Sequence, residues 1–71
     1  MTGRSGKLTP QDAKRILADL RRKAILYRGD EEAGDDLVQF TLETAIDEYA
    51  SRPADVSLGQ WLHTIMARHL N

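Results

Sequence analysis

The 71-residue chain has no cysteine. It therefore has no disulfide framework and no thiolate metal site, which fits a reducing cytoplasm. Histidine is nearly absent too. His63 and His69 stand six positions apart and have no ligand-type partner one helical turn away, so no metal site is expected and no cofactor is implied. No apolar run approaches the roughly 20 residues of a membrane span, and the polar start from Met1 to Lys7 is no signal peptide. There is no β-hairpin signal, internal repeat or low-complexity tract. A basic excess is also missing: the formal net charge is −1. Phosphate contacts supply most of the affinity of a free-standing nucleic-acid binder, so autonomous duplex binding should be weak.

What is present is ordinary for a folded protein, with 41% apolar and 30% charged residues. The length allows one small domain, which buries only roughly 60% of its unfolded surface. Three short helices can hardly enclose a convergent catalytic pocket, and neither histidine has a catalytic partner in view; no enzyme and no small-molecule substrate are expected. The charge is unevenly spread. Up to Arg28 there are eight cations against two acids, and beyond it two cations against nine acids. Such a split points to helices that pair by charge or to a domain that meets a charged protein surface.

The first eight residues read as a flexible polar tail, and residues 9–71 as one helical domain. Thr9 is an N-cap with Pro10 at the first helical position and Asp12 placed for a capping box. Ala13, Ile16, Leu17, Leu20, Ala24 and Tyr27 then recur on one helical stripe, and Gly29 is the stop. A second helix opens on Asp30, Glu31, Glu32, Asp35 and Asp36, which suit the positive end of its dipole. Its start is open between this run and a later one capped by Asp35, since Gly34 permits a turn. Leu37, Val38, Thr41, Ala45 and Tyr49 form one face, widened by Phe40, Leu42 and Ile46, and the helix is expected to end near Ala50. Pro53 makes residues 51–56 a loop. Ser57 caps a third helix with Leu58, Trp61, Leu62, Ile65 and Leu70 buried, while Gln60, Thr64 and Arg68 share a polar face. The basic set Arg21, Arg22 and Lys23 reads first as a solvated face, with a phosphate contact or pairing to the second helix as alternatives. The fold class is all-α: a three-helix bundle of helices of about 18, 16 and 13 residues by their start and stop signals.

The segment Asp35-Asp36-Leu37-Val38-Gln39, followed by Thr41-Leu42, resembles the helix with which bacterial sigma-70 family factors of the extracytoplasmic-function type grip RNA polymerase. Ser57-Leu58-Gly59-Gln60-Trp61-Leu62-His63-Thr64-Ile65 is similar to the next conserved stretch of that family, and Leu20-Arg21-Arg22-Lys23-Ala24 with Gly29-Asp30 fits the helix before it. The likeness, to the core-binding region 2, covers roughly residues 12–71. It implies a sigma region 2-like bundle in a transcription module that binds the clamp helices of core RNA polymerase through Asp36 and Gln39. Asp35, Phe40 and Glu43 adjoin them on that interface. By the same resemblance, Gln60, Thr64 and Arg68 would face promoter −10 DNA, with Trp61 behind them.

Three departures qualify that role. Phe40 replaces the family's usual glutamate, Gly59 replaces its arginine, and the chain stops at Asn71 before any second DNA-binding region. Alone, the polypeptide is not expected to initiate transcription. A second likeness is to the sigma-like domain of phyllosphere-induced stress-response regulators, through Gly34-Asp35-Asp36-Leu37-Val38-Gln39-Phe40-Thr41-Leu42-Glu43. It implies the alternative function: a sigma mimic that binds an anti-sigma factor in a stress response.

Overall fold

The computed structural model describes residues 9–70; the expected N-terminal tail lies outside them. Three helices, α1 (Pro10–Arg28), α2 (Glu31–Asp47) and α3 (Leu58–Arg68), account for most of this span, with a 3-10 turn at Tyr49–Ser51 between the last two. The expected all-α three-helix architecture is present.

Helix α1 begins at the expected cap. The Thr9 hydroxyl accepts from the Asp12 backbone N–H at 3.0 Å, and the Asp12 carboxylate accepts from the Thr9 N–H at 3.4 Å, closing a capping box. It ends at Gly29, whose φ of 96° is left-handed and whose N–H bonds the Ile25 carbonyl. Asp30 immediately caps α2, its carboxylate accepting from the Ala33 N–H at 2.8 Å. Of the two possible starts, the earlier one is therefore used, and Gly34 lies within the helix. Gly34 is there for a close approach: a Cβ at this position would lie 2.7 Å from Ile25 Cγ1 and 2.9 Å from the Ile25 Cα and N.

The tight Gly29–Asp30 link makes α1 and α2 an antiparallel hairpin, and their contact is the most extensive in the molecule. Helix α3 packs against it, more on α2 than on α1. Leu20 and Ala24 from α1, Leu37 and Ala45 from α2, and Trp61, Leu62, Ile65 and Met66 from α3 form the core. Trp61 is only 7% exposed, so it is a core residue, as its spacing with Leu58 and Ile65 predicts. Thr41 is buried among them, and its hydroxyl donates to the Leu37 carbonyl at 2.8 Å, which satisfies it within the helix. Leu70 packs against this core from the chain's far end.

Helix α2 stops at Asp47 rather than near Ala50. The chain turns instead through Tyr49–Ser51, where the Tyr49 ring meets Trp61 edge-on at 6.3 Å and the Arg52 guanidinium lies 5.1 Å over the Tyr49 ring. Arg52 Nε has no hydrogen-bond partner among the described residues. Tyr49 and Tyr27, both expected on buried stripes, are largely exposed, as is Leu17. The reason is thinness: the molecule measures 43 × 24 × 15 Å, and three helices in so flat an arrangement cannot bury two sides of every helix. An apolar trough of about 600 Å3 consequently stays open between α2 and α3, lined by Leu42, Ala45, Ile46, Tyr49 and Trp61 among others.

Candidate functional site

The solvent face of α2 carries the residues singled out in the sequence. Helical periodicity places Asp36, Gln39, Phe40 and Glu43 on neighbouring turns of one face. In the structure these four surround a shallow hollow of about 230 Å3. Gln39 Nε2 approaches the Glu43 carboxylate at 3.4 Å, a long contact that leaves both groups available. Asp36 makes no ion pair or side-chain hydrogen bond with another described residue, and Phe40 exposes 59% of its surface.

Asp35 is held apart from this group. Arg21 Nε donates to its carboxylate at 2.8 Å, and Arg21 Nη2 lies 3.9 Å from Glu31. The hydrogen bond to Asp35, then its charge, raises the Arg21 guanidinium above its ordinary pKa. Of the basic set on α1, Arg21 thus pairs with the acidic second helix. Arg22 and Lys23 instead pair within their own helix, at 2.6 Å and 3.1 Å from the Asp19 carboxylate. All three lie at the surface. Arg21 in addition makes the pairing with the second helix that was the alternative reading, to a partner fourteen positions away at a spacing with no local signal.

One further residue, His69, completes the α2 surface and was not legible as part of it. The His69 ring lies 5.8 Å from that of Phe40, tilted by 31°. His69 Nε2 is 3.0 Å from the Thr44 hydroxyl, and Arg28 Nη2 donates to the His69 carbonyl at 3.0 Å. The end of α3 therefore braces Phe40 from one side. His63 is engaged similarly, its Nε2 lying 2.8 Å from the Tyr27 hydroxyl. Both histidines are partly exposed and serve as contacts between helices.

On α3, Gln60, Thr64 and Arg68 are all exposed on one face. Their polar groups are partly occupied. The Thr64 hydroxyl donates to the Gln60 carbonyl at 3.0 Å, and Arg68 Nη2 donates to Glu48 at 2.9 Å. Arg68, the one cation of this face, thus faces a carboxylate of the same molecule.

A family model described as the sigma2 domain of PhyR matches residues 14–67, from early in α1 to the last turn of α3. The chain belongs to this family. No curated protein and no solved structure matches. As a sigma2 domain it is a sigma-like region 2 module, and such domains are transcription-regulatory and not an enzyme family. Helix α2, which lies within the matched span, is the one that presents the hollow. No described helix is long and apolar enough to cross a membrane.

Proposed function

We propose that this sigma2 domain acts by protein docking through the solvent face of α2, and that its partner is an anti-sigma factor. It would present a sigma-like surface to that factor in a cytoplasmic stress response, without cofactor, metal or small-molecule substrate. The observation that carries this reading is the gathering of Asp36, Gln39, Phe40 and Glu43 on one exposed face. Exposed carboxylates accept from a partner's cations, and an exposed ring is the kind of residue enriched at interface cores. The α3 face supports a mimic over a promoter reader: Arg68 is engaged by Glu48, and the chain has no basic excess. Promoter contact through Gln60, Thr64 and Arg68 is at most weak for the domain alone.

A second reading is docking on the clamp helices of core RNA polymerase. Asp36 and Gln39 favour it, because both lie exposed on the same face with their polar groups available. Pull-downs of the chain with an anti-sigma factor and, separately, with core polymerase of the source organism distinguish the two. Capture of the anti-sigma factor alone, weakened by Asp36→Ala or Gln39→Ala, is expected. Capture of polymerase with the same sensitivity would replace the first reading by the second. Capture of neither would overturn both.

A further inference from the structure

Phe40 is a large, mostly exposed ring set among the polar side chains of Asp36, Gln39 and Glu43, with the His69 ring beside it. We infer that the hollow formed by Phe40, Asp36, Gln39 and Glu43 receives one arginine side chain of the docking partner. This inference rests on the reading of α2 as the docking face and specifies the chemistry that face selects.

Size is the first argument. At about 230 Å3 the hollow falls below the roughly 300–1,000 Å3 of pockets that take whole small ligands, and it is open; it suits a side chain. The second argument is the ring. Phe40 is braced by His69, which is itself fixed through Thr44 and Arg28, so an exposed aromatic surface is offered in a set position. The third is charge. Asp36 and Glu43 are the two carboxylates lining the hollow, and no cation of the described residues pairs with either. The neighbouring acid, Asp35, is the one that Arg21 already neutralises.

These features together select guanidinium over ammonium. A guanidinium is planar and weakly hydrated, stacks its face on an aromatic ring, and directs N–H groups outward from its edge to carboxylates and to an amide oxygen. An ammonium is compact and strongly hydrated, and it gains from the carboxylates but little from the exposed ring. Gln39 adds an acceptor through its amide oxygen while its NH2 group remains turned toward Glu43.

NMR titration of the full chain with N-acetyl-arginine amide, N-acetyl-lysine amide and N-acetyl-norleucine amide at matched ionic strength tests the inference. Arginine is expected to shift the Phe40 ring resonances and the amides of residues 36–43, with affinity roughly two- to fivefold above lysine. Phe40→Leu should abolish that preference. Phe40 is exposed, so the variant should keep its melting temperature, and a melt verifies this. Asp36→Asn combined with Glu43→Gln should weaken arginine and lysine alike. Equal response to arginine and lysine, a stronger response to norleucine, or shifts centred on residues 30–35 would each overturn the arginine receptor. These probes need no anti-sigma factor, so their failure is separable from that of the docking reading. A chain that captures its partner equally well with Phe40→Leu keeps that reading and loses the receptor.

Discussion

Gly34 shows how one missing side chain sets the spacing of two helices. Its absent Cβ is what lets α2 approach the Ile25 backbone, and any side chain there meets atoms that cannot rotate away. Gly34→Ala should therefore destabilise the domain by about 1–3 kcal/mol through overpacking, even though alanine is the better helix former by about 1 kcal/mol. A lowered urea midpoint would report it. Trimming the neighbour with Ile25→Ala should restore little, because the Cα and N of residue 25 are themselves in the way. Asp19 illustrates a weaker residue-scale effect. The hydrogen bond from Lys23 above all, and the charges of Lys23 and Arg22, hold its carboxyl below the ordinary 3.8 against partial desolvation. A depressed folded-state pKa means that the unfolded chain binds the proton first. The contribution is thus complete above that ordinary value and is lost as pH falls through the folded one. Asp19→Asn should lower the melting temperature slightly at neutral pH, and the difference should vanish in strong acid. The groups are exposed, so the effect is small.

The three helices owe their starts to three short polar side chains, Thr9, Asp30 and Ser57, each accepting from a backbone N–H three residues on. Ser57→Ala should cost about 1 kcal/mol and should shorten α3 from its N-terminal end, measurable as lost amide protection at residues 58–61. The caps Thr9 and Ser57, most of the apolar stripes and the burial of Trp61 were legible in the sequence because they follow from local chemistry and helical period. The Asp30 cap was not, being one acid among five in that run. Where α2 begins was open. The helix takes Asp30 as its cap, and it holds Gly34, the residue that permits a turn, inside it in close approach to Ile25, a contact between helices that leaves no local trace. Its end was missed by a few residues for the same kind of reason: Tyr49 leaves the helix to meet Trp61 and to receive Arg52. The candidate docking face divides likewise. Period alone places Asp36, Gln39, Phe40 and Glu43 together, whereas the removal of Asp35 by Arg21 and the bracing of Phe40 by His69 depend on which helix lies beside which.

As a whole, the molecule has little core to spare. Met66 is fully buried, and Met66→Ala should cost about 2–5 kcal/mol. A globular chain holds roughly 0.05–0.15 kcal/mol of stability per residue, so this one substitution removes much or all of the total for a domain of this size. Thermal melts followed by circular dichroism should show a transition lowered by many degrees for this variant. The shape that makes the core thin also leaves the trough beside Ile46 and Tyr49 open, with Ile46 itself 75% exposed. The two-residue link at Gly29 and Asp30 has a kinetic consequence. It joins the pair of helices with the largest mutual contact, while α3 must close a longer segment, residues 48–57, before it finds its place. Most contacts therefore form between sequence neighbours, and such topologies fold within microseconds to milliseconds. In a chevron plot, substitutions of the hairpin's core residues Leu20 and Leu37 should chiefly slow refolding. Those in α3 should chiefly hasten unfolding, as expected for an element that joins after the rate-limiting step.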